Sequence, residues 1–139
     1  MSELLRWNGR AEPEAVGIVR HRVASKAATL GAHADVLERV RLAVTEAVTN
    51  VVVHAYREAP EPGEVTVVAE HENAGMTVVV SDDGLGLLPR VDSPGLGLGL
   101  GLMAQVTDDF DIRTRAAGGV EVRLHFVFDG PGAPRPAAA

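Results

Sequence analysis

The stretch from Asp109 to Phe128, DFDIRTRAAGGVEVRLHFVF, decides the fold class. Phe110, Ile112 and Thr114 alternate with Asp109, Asp111, Arg113 and Arg115. Val120, Val122, Leu124, Phe126 and Phe128 alternate with Glu121, Arg123 and His125. A period of two with one apolar and one polar set describes strands buried on one face, as in a half-exposed antiparallel sheet. Gly118-Gly119 supplies the turn between them.

Working upstream, Glu64 to His71 and Met76 to Asp82 are rich in valine and flank Asn73-Ala74-Gly75. They predict a second hairpin. Met76, Val78, Val80 and Asp82 share one parity, so a carboxylate ends the strand on the side of the core valines. Leu4 to Asn8 predicts a short first strand. Between these strands lie helical patterns. Pro13 opens one in which Val16, Val19, Val23, Ala27 and Leu30 recur every three or four residues, with Gly31 as its C-cap. Arg20, Arg22 and Lys26 lie off that stripe, as on a solvated face. A second helix is expected from Asp35 to about Arg57, with Leu37, Val40, Val44, Val48 and Val51 on one side. Arg39, Glu46, Thr49 and Asn50 take the other. The order is strand, two helices, hairpin, loop and helix, hairpin. It predicts an α+β two-layer sandwich: a mostly antiparallel sheet covered on one face by about three helices, with its polar positions lining the other.

The chain of 139 residues fits one domain, expected over 1–129. From Gly130 on, three prolines and a terminal alanine run predict a disordered tail, 130–139. Apolar residues make up 46% and charged residues 23%, which excludes wholesale disorder. No cysteine is present, which excludes disulfides, thiolate catalysis and cysteine-ligated zinc. The net charge of -6 argues against a nucleic-acid binder working by phosphate neutralisation. Lys26 is the sole lysine and has no glycine-rich loop beside it, which excludes a P-loop. No segment has the ~18 apolar residues of a membrane span. The N-terminus shows no signal peptide, so a cytoplasmic location is expected.

Three short constellations carry chemistry. Glu46 and Asn50, four apart, share one helical face. A carboxylate can accept a proton from an attacking hydroxyl, and an amide oxygen is a hard ligand suited to Mg²⁺. By itself the pair also describes two polar residues on a surface helix. In Asp82-Asp83-Gly84-Leu85-Gly86, a strand-end carboxylate can accept from an exocyclic amine, while the glycines allow close backbone approach. By itself the segment is also a plain turn. Gly95 to Leu102 alternates four glycines with four leucines. Each glycine inside a helix costs about 1 kcal/mol against alanine, so something must offset that cost: exposed backbone N–H groups at a helix start bind phosphate well, and by itself the run also describes a hinge or tight helix packing. The spacing is not that of a dinucleotide-binding GxGxxG.

Together these elements resemble the GHKL ATPase superfamily. Its ExxxNxxxHAY box is matched by Glu46, Asn50, His54, Ala55 and Tyr56. Its DxGxG box is matched by Asp82, Gly84 and Gly86. Its third, glycine-leucine box is matched by Gly95 to Leu100 or by Gly97 to Leu102. Within the superfamily the chain resembles the anti-sigma-factor serine/threonine kinases of bacterial stress and sporulation switches. Glu46, the triplet His54 to Tyr56, Asp108 and the bare ATPase domain point there. The resemblance implies ATP and Mg²⁺ as cofactors. It implies Glu46 as the general base on a partner's serine or threonine, and Asn50 as the Mg²⁺ ligand. Asp82 would bind the adenine amine, with Gly84 and Gly86 shaping its pocket. Gly95, Gly97 and Gly99 would approach the phosphates, under a lid from Leu87 to Pro94. His54 falls at the margin of the Glu46 face and is expected to be a packed or surface residue. The implied partners are a sigma factor, an anti-anti-sigma protein as phospho-acceptor, and a second copy in a homodimer, with no nucleic acid and no membrane.

One departure bears on activity. The family carries a threonine after the glycines of the last turn, where it helps bind adenine; here Val120 faces the core and Glu121 faces out. A hydrogen bond to ligand lost there is worth ~0.5–1.5 kcal/mol. Three functions therefore stay open on the sequence: a protein kinase that sequesters a sigma factor, a nucleotide-gated or nucleotide-free sequestering module, and an ATP hydrolase.

Overall fold

The computed structural model describes residues 2–84 and 100–128. The elements are β1 (Ser2–Arg10), α1 (Pro13–Thr29), α2 (Ala34–Asn50), a π-helical turn (Val51–Ala55), β2 (Glu64–Glu72), β3 (Gly75–Asp82), α3 (Leu100–Val106), β4 (Asp109–Thr114) and β5 (Val120–Val127). The five strands form one antiparallel sheet in the order β1-β2-β3-β5-β4. The helices lie on one face, giving the α+β two-layer sandwich expected. The tail beyond Phe128 and most of the glycine-leucine run fall outside the described residues.

The core sits between α1, α2 and the inward parity of the strands. Val19 and Val23 of α1, Val40, Val44 and Val48 of α2, and Val65, Val67, Val78, Val80, Leu124 and Phe126 of the sheet are all buried. Burial of these aliphatic side chains, at roughly 25 cal/mol per Å² of apolar surface, is what joins the layers. The α1 helix ends as expected, with Gly31 at φ +94°.

Four details differ from the sequence reading. The buried stripe of α2 takes in Val36, Ala43 and Ala47, while Leu37 is only half-buried; small residues face the sheet, so the helix lies close to it. The α-helical coil stops at Asn50 rather than continuing to Arg57, and Val51–Ala55 opens into a π turn. Three consecutive β-branched valines crowd the preceding turn of a regular helix, which favours that widening. The β2–β3 turn is Asn73-Ala74, because Gly75 pairs with Glu72 and so belongs to β3; Asn73 takes φ +50°. Finally, the outer sheet face is not uniformly open. Thr77 and Val79 of the central strand are buried there. Their neighbours on that face are His125 and Arg123 of β5, whose long side chains shield them.

Candidate nucleotide and catalytic site

Two groups of the expected site residues lie within the described residues. Glu46 and Asn50 are one turn apart on α2, both half-buried, at the margin of the face that meets the sheet. Asp82 and Gly84 stand at the C-terminal end of β3. The continuation of α2 joins them: at the end of the π turn, Ala55 and Tyr56 abut the Asp82–Gly84 turn. A Cβ at Gly84 would run into the Ala55 carbonyl, so only glycine lets the helix end and the strand end meet this closely. Asn50 precedes Tyr56 by six residues and Glu46 precedes it by ten, so the three follow one another along α2 and its π-helical continuation. Glu46 and Asn50 are thus carried on the segment whose far end abuts the turn that follows Asp82. Gly86, Gly95, Gly97, Gly99 and the lid segment lie outside the described residues.

Asp82 is 6% exposed, as its parity predicts. Its Oδ1 accepts the Gly84 N–H at 2.8 Å. Burial pushes its carboxyl above the usual carboxylate range, with the backbone N–H groups of Gly84 and Val120 pulling it back down. Asp83 adds repulsion and Arg115 a smaller attraction. A carboxylate kept in such a place is a strong acceptor held away from water, and a donor from a ligand would relieve its burial. An exocyclic amine fits that requirement.

Residues to which the motifs gave no role in the site hold this turn. The Tyr56 hydroxyl accepts the Asp83 N–H at 2.9 Å and donates to the Glu64 carbonyl at 2.6 Å. Burial raises the Tyr56 phenol above its usual range, so it keeps the proton it donates. Arg115 was expected on the polar parity of β4. Instead β4 ends at Thr114, and the Arg115 side chain turns back to Asp82 and Asp83. The turn after it is closed by Arg115 N–H to the Gly119 carbonyl and Gly118 N–H to the Arg115 carbonyl, each at 3.0 Å. Gly119, at φ +89°, approaches the Asp82 carbonyl too closely for any side chain. The paired glycines were the only signal of this in the sequence. Val120 is buried, as expected from its parity, and offers no hydroxyl.

Other expected residues have local roles. Asp108 accepts the Val127 N–H at 2.7 Å and lies 4.0 Å from Arg39 of α2, tying the end of α3 to the sheet and to α2. His54 is half-buried in the π turn. Arg20 is exposed yet leans on α2, its Nη1 3.4 Å from Thr45 Oγ1. With His21, Ser25 and Arg41 it lines a polar groove between α1 and α2. Among the described residues, no cluster of three or more His, Asp or Glu side chains could by itself hold a metal ion.

Residues 9–126 match the model of the histidine kinase-like ATPase domain, and the chain belongs to that family. Its relatives narrow the kinship. The serine-protein kinase RsbW of Bacillus licheniformis is 30% identical over 88% of this chain and 84% of its own. That of Bacillus subtilis (strain 168) is 33% identical over 82% and 79%. The anti-sigma F factor of Clostridium acetobutylicum is 28% identical over 81% and 85%. The crystal structure of the RsbU and RsbW domains of Rv1364c from Mycobacterium tuberculosis shares the fold, with a TM-score of 0.70 at 20% identity. That likeness covers 96% of this chain but 35% of the solved one, so this chain spans about a third of that protein.

Proposed function

We propose that this protein is an anti-sigma factor with ATP-dependent serine/threonine kinase activity, which phosphorylates an anti-anti-sigma protein and sequesters a sigma factor. The observation that carries the reading is Asp82: a buried carboxylate at a strand end, in a chain whose relatives are serine-protein kinases. Asp82 accepts the adenine amine. Gly84 and Gly86 let the base approach the backbone. Gly95, Gly97 and Gly99 line the phosphates.

Asn50 would hold Mg²⁺ through its amide oxygen. The fit is that of a cation bound together with nucleotide, since Mg²⁺ commonly takes one or two protein ligands plus phosphates and water. When bound, the ion would neutralise charge on the transferring phosphoryl group. Glu46 accepts the proton of the partner's hydroxyl as that oxygen bonds to the γ-phosphorus and the bond to the ADP oxygen breaks. The half-buried position of Glu46, one turn from Asn50, suits a base beside the phosphates.

The protein acts in the cytoplasm on transcription, as a homodimer whose candidate surfaces are β1 and the outer sheet face. No helix among the described residues is long and apolar enough to cross a membrane. The test is incubation of the purified chain with radiolabelled ATP, Mg²⁺ and candidate anti-anti-sigma proteins. Label on serine or threonine of the partner supports the kinase. One observation favours a second reading, sequestration without phosphoryl transfer: Val120 brings no hydroxyl to the adenine site. Partner binding with no label in any candidate would favour it.

A further inference from the structure

The β3–β5 ladder stops one pair short of where Asp82 would meet Val120. Its last pair is Ser81 with Glu121. At the next position both backbones are used differently. The Val120 N–H is among the groups that favour the charged Asp82 carboxylate. The Asp82 carbonyl, beyond the last register pair with β5, takes a hydrogen bond from Arg115 Nη1 at 2.8 Å. The same nitrogen reaches Asp83 Oδ1 at 2.7 Å. One cation therefore holds the backbone of the residue that carries the buried carboxylate and also the neighbouring acid, Asp83. The contact spans 33 positions and crosses from the β4–β5 turn to the end of β3.

The stability of an exposed ion pair does not account for this arrangement. The Arg115 and Asp83 side chains are 35% and 71% exposed, and such pairs add little to folding. What the contact changes is local geometry and charge. It restrains the peptide plane after Asp82, and together with the pairing of Asp82 to Val65 of β2 this restrains the direction of the Cα–Cβ bond. It also draws the Asp83 carboxylate onto a cation, away from the Asp82 carboxylate. Tyr56 restrains the same turn from the opposite side through the Asp83 N–H.

We infer that Arg115 is a positioning residue for the nucleotide base: it holds the Asp82–Gly84 turn in its base-accepting geometry, in a site where Val120 supplies no hydroxyl. The inference rests on the proposed reading of Asp82 as the adenine anchor. The titratable and charged groups facing the Asp82 carboxylate are Asp83 on its own segment, Tyr56 from the π-turn end and Arg115 from the β4–β5 side; the Gly84 and Val120 N–H groups also favour its charged form. Removing Arg115 takes away the one cation among them. Asp82 then protonates more readily, and its carboxylate is lost as an acceptor at a higher pH.

The experiment is calorimetric titration of the intact chain with ATP and Mg²⁺ between pH 5.5 and 8, for the parent, Arg115→Ala, Arg115→Lys and Asp82→Asn. The expected result is an affinity about five- to tenfold lower for Arg115→Ala at pH 7, the effect of one to two weakened hydrogen bonds. Its acid limb should move to higher pH, and Arg115→Lys, whose ammonium can serve both acceptors, should restore affinity and limb together. A general structural weakening would lower affinity without moving the limb. Parent-like affinity and limb in Arg115→Ala, with binding lost in Asp82→Asn, would overturn the role of Arg115 alone. Parent-like binding in Asp82→Asn would overturn the reading of Asp82, and the inference with it.

Discussion

Tyr56 and Asp83 meet through a single hydrogen bond, hydroxyl oxygen to backbone N–H at 2.9 Å, that fastens the end of the α2 segment to the end of β3. The same hydroxyl donates to the Glu64 carbonyl at 2.6 Å, so one side chain secures the two strand ends flanking the site. A helix that carries Glu46 and Asn50 is thereby held in register with the strand that carries Asp82.

Tyr56→Phe removes both bonds while keeping the ring. The expected loss is about 1–2 kcal/mol, from two modest hydrogen bonds. Urea unfolding at pH 7 measures it. The phenol has a raised pKa in the folded state, so the unfolded chain ionises first as pH climbs above the ordinary tyrosine value. The parent should lose stability through that alkaline window and the variant should not; a gap independent of pH would contradict the donor role.

Asp82→Asn should weaken ATP binding strongly yet stabilise the apo fold at neutral pH. Burial raises the folded-state carboxyl above its unfolded value, so between those two values the folded state binds more protons. That stability is present below the ordinary carboxylate value and is lost as pH rises through the raised one. Asparagine does not titrate and keeps an oxygen for the Gly84 N–H. The variant's advantage in thermal melting should open with rising pH and then stay constant. Equal melting at every pH would rule out a penalty on the ionised group.

Glu46→Ala should leave ATP affinity within about twofold while phosphoryl transfer to a partner falls about a hundredfold or more, the usual contribution of a general base. Calorimetry and a label-transfer assay on the same preparation separate the two. Transfer at the parent rate would remove Glu46 from the proton path.

Val120→Thr should tighten ATP binding by up to about tenfold, the equivalent of one added hydrogen bond. Titration of ATP against the parent and the variant under one Mg²⁺ concentration reads it. Weaker binding would show that the valine methyls, not a missing hydroxyl, suit this site.

The placement of the candidate residues was legible from spacing, while their roles came only from the resemblance of the three motifs to a family. Spacing of four puts Glu46 and Asn50 on one helix face, and period two puts Asp82 and Val120 on the buried side. Both follow from local backbone geometry, which repeats identically wherever a helix or strand forms. The sheet, its antiparallel order and the cover of helices were legible for the same reason. The long-range contacts were not. The parity that correctly turned Ile112 inward misplaced Arg115, because parity ceases where the strand ends, and only the three-dimensional turn brings that guanidinium to Asp82. The buried Thr77 and Val79 likewise depend on which residues of β5 lie beside them.

The sequence by itself determined the family, the two-layer architecture and the identity of the chemical groups, since each is carried by short periodic patterns and local spacing. The tertiary structure alone decided how those groups are held. Tyr56, Arg115 and Gly119 act on Asp82 across separations of 26 to 37 positions, where no local period relates one residue to another. Contacts of that kind exist only once the core valines have drawn helix and sheet together and set the strand ends side by side.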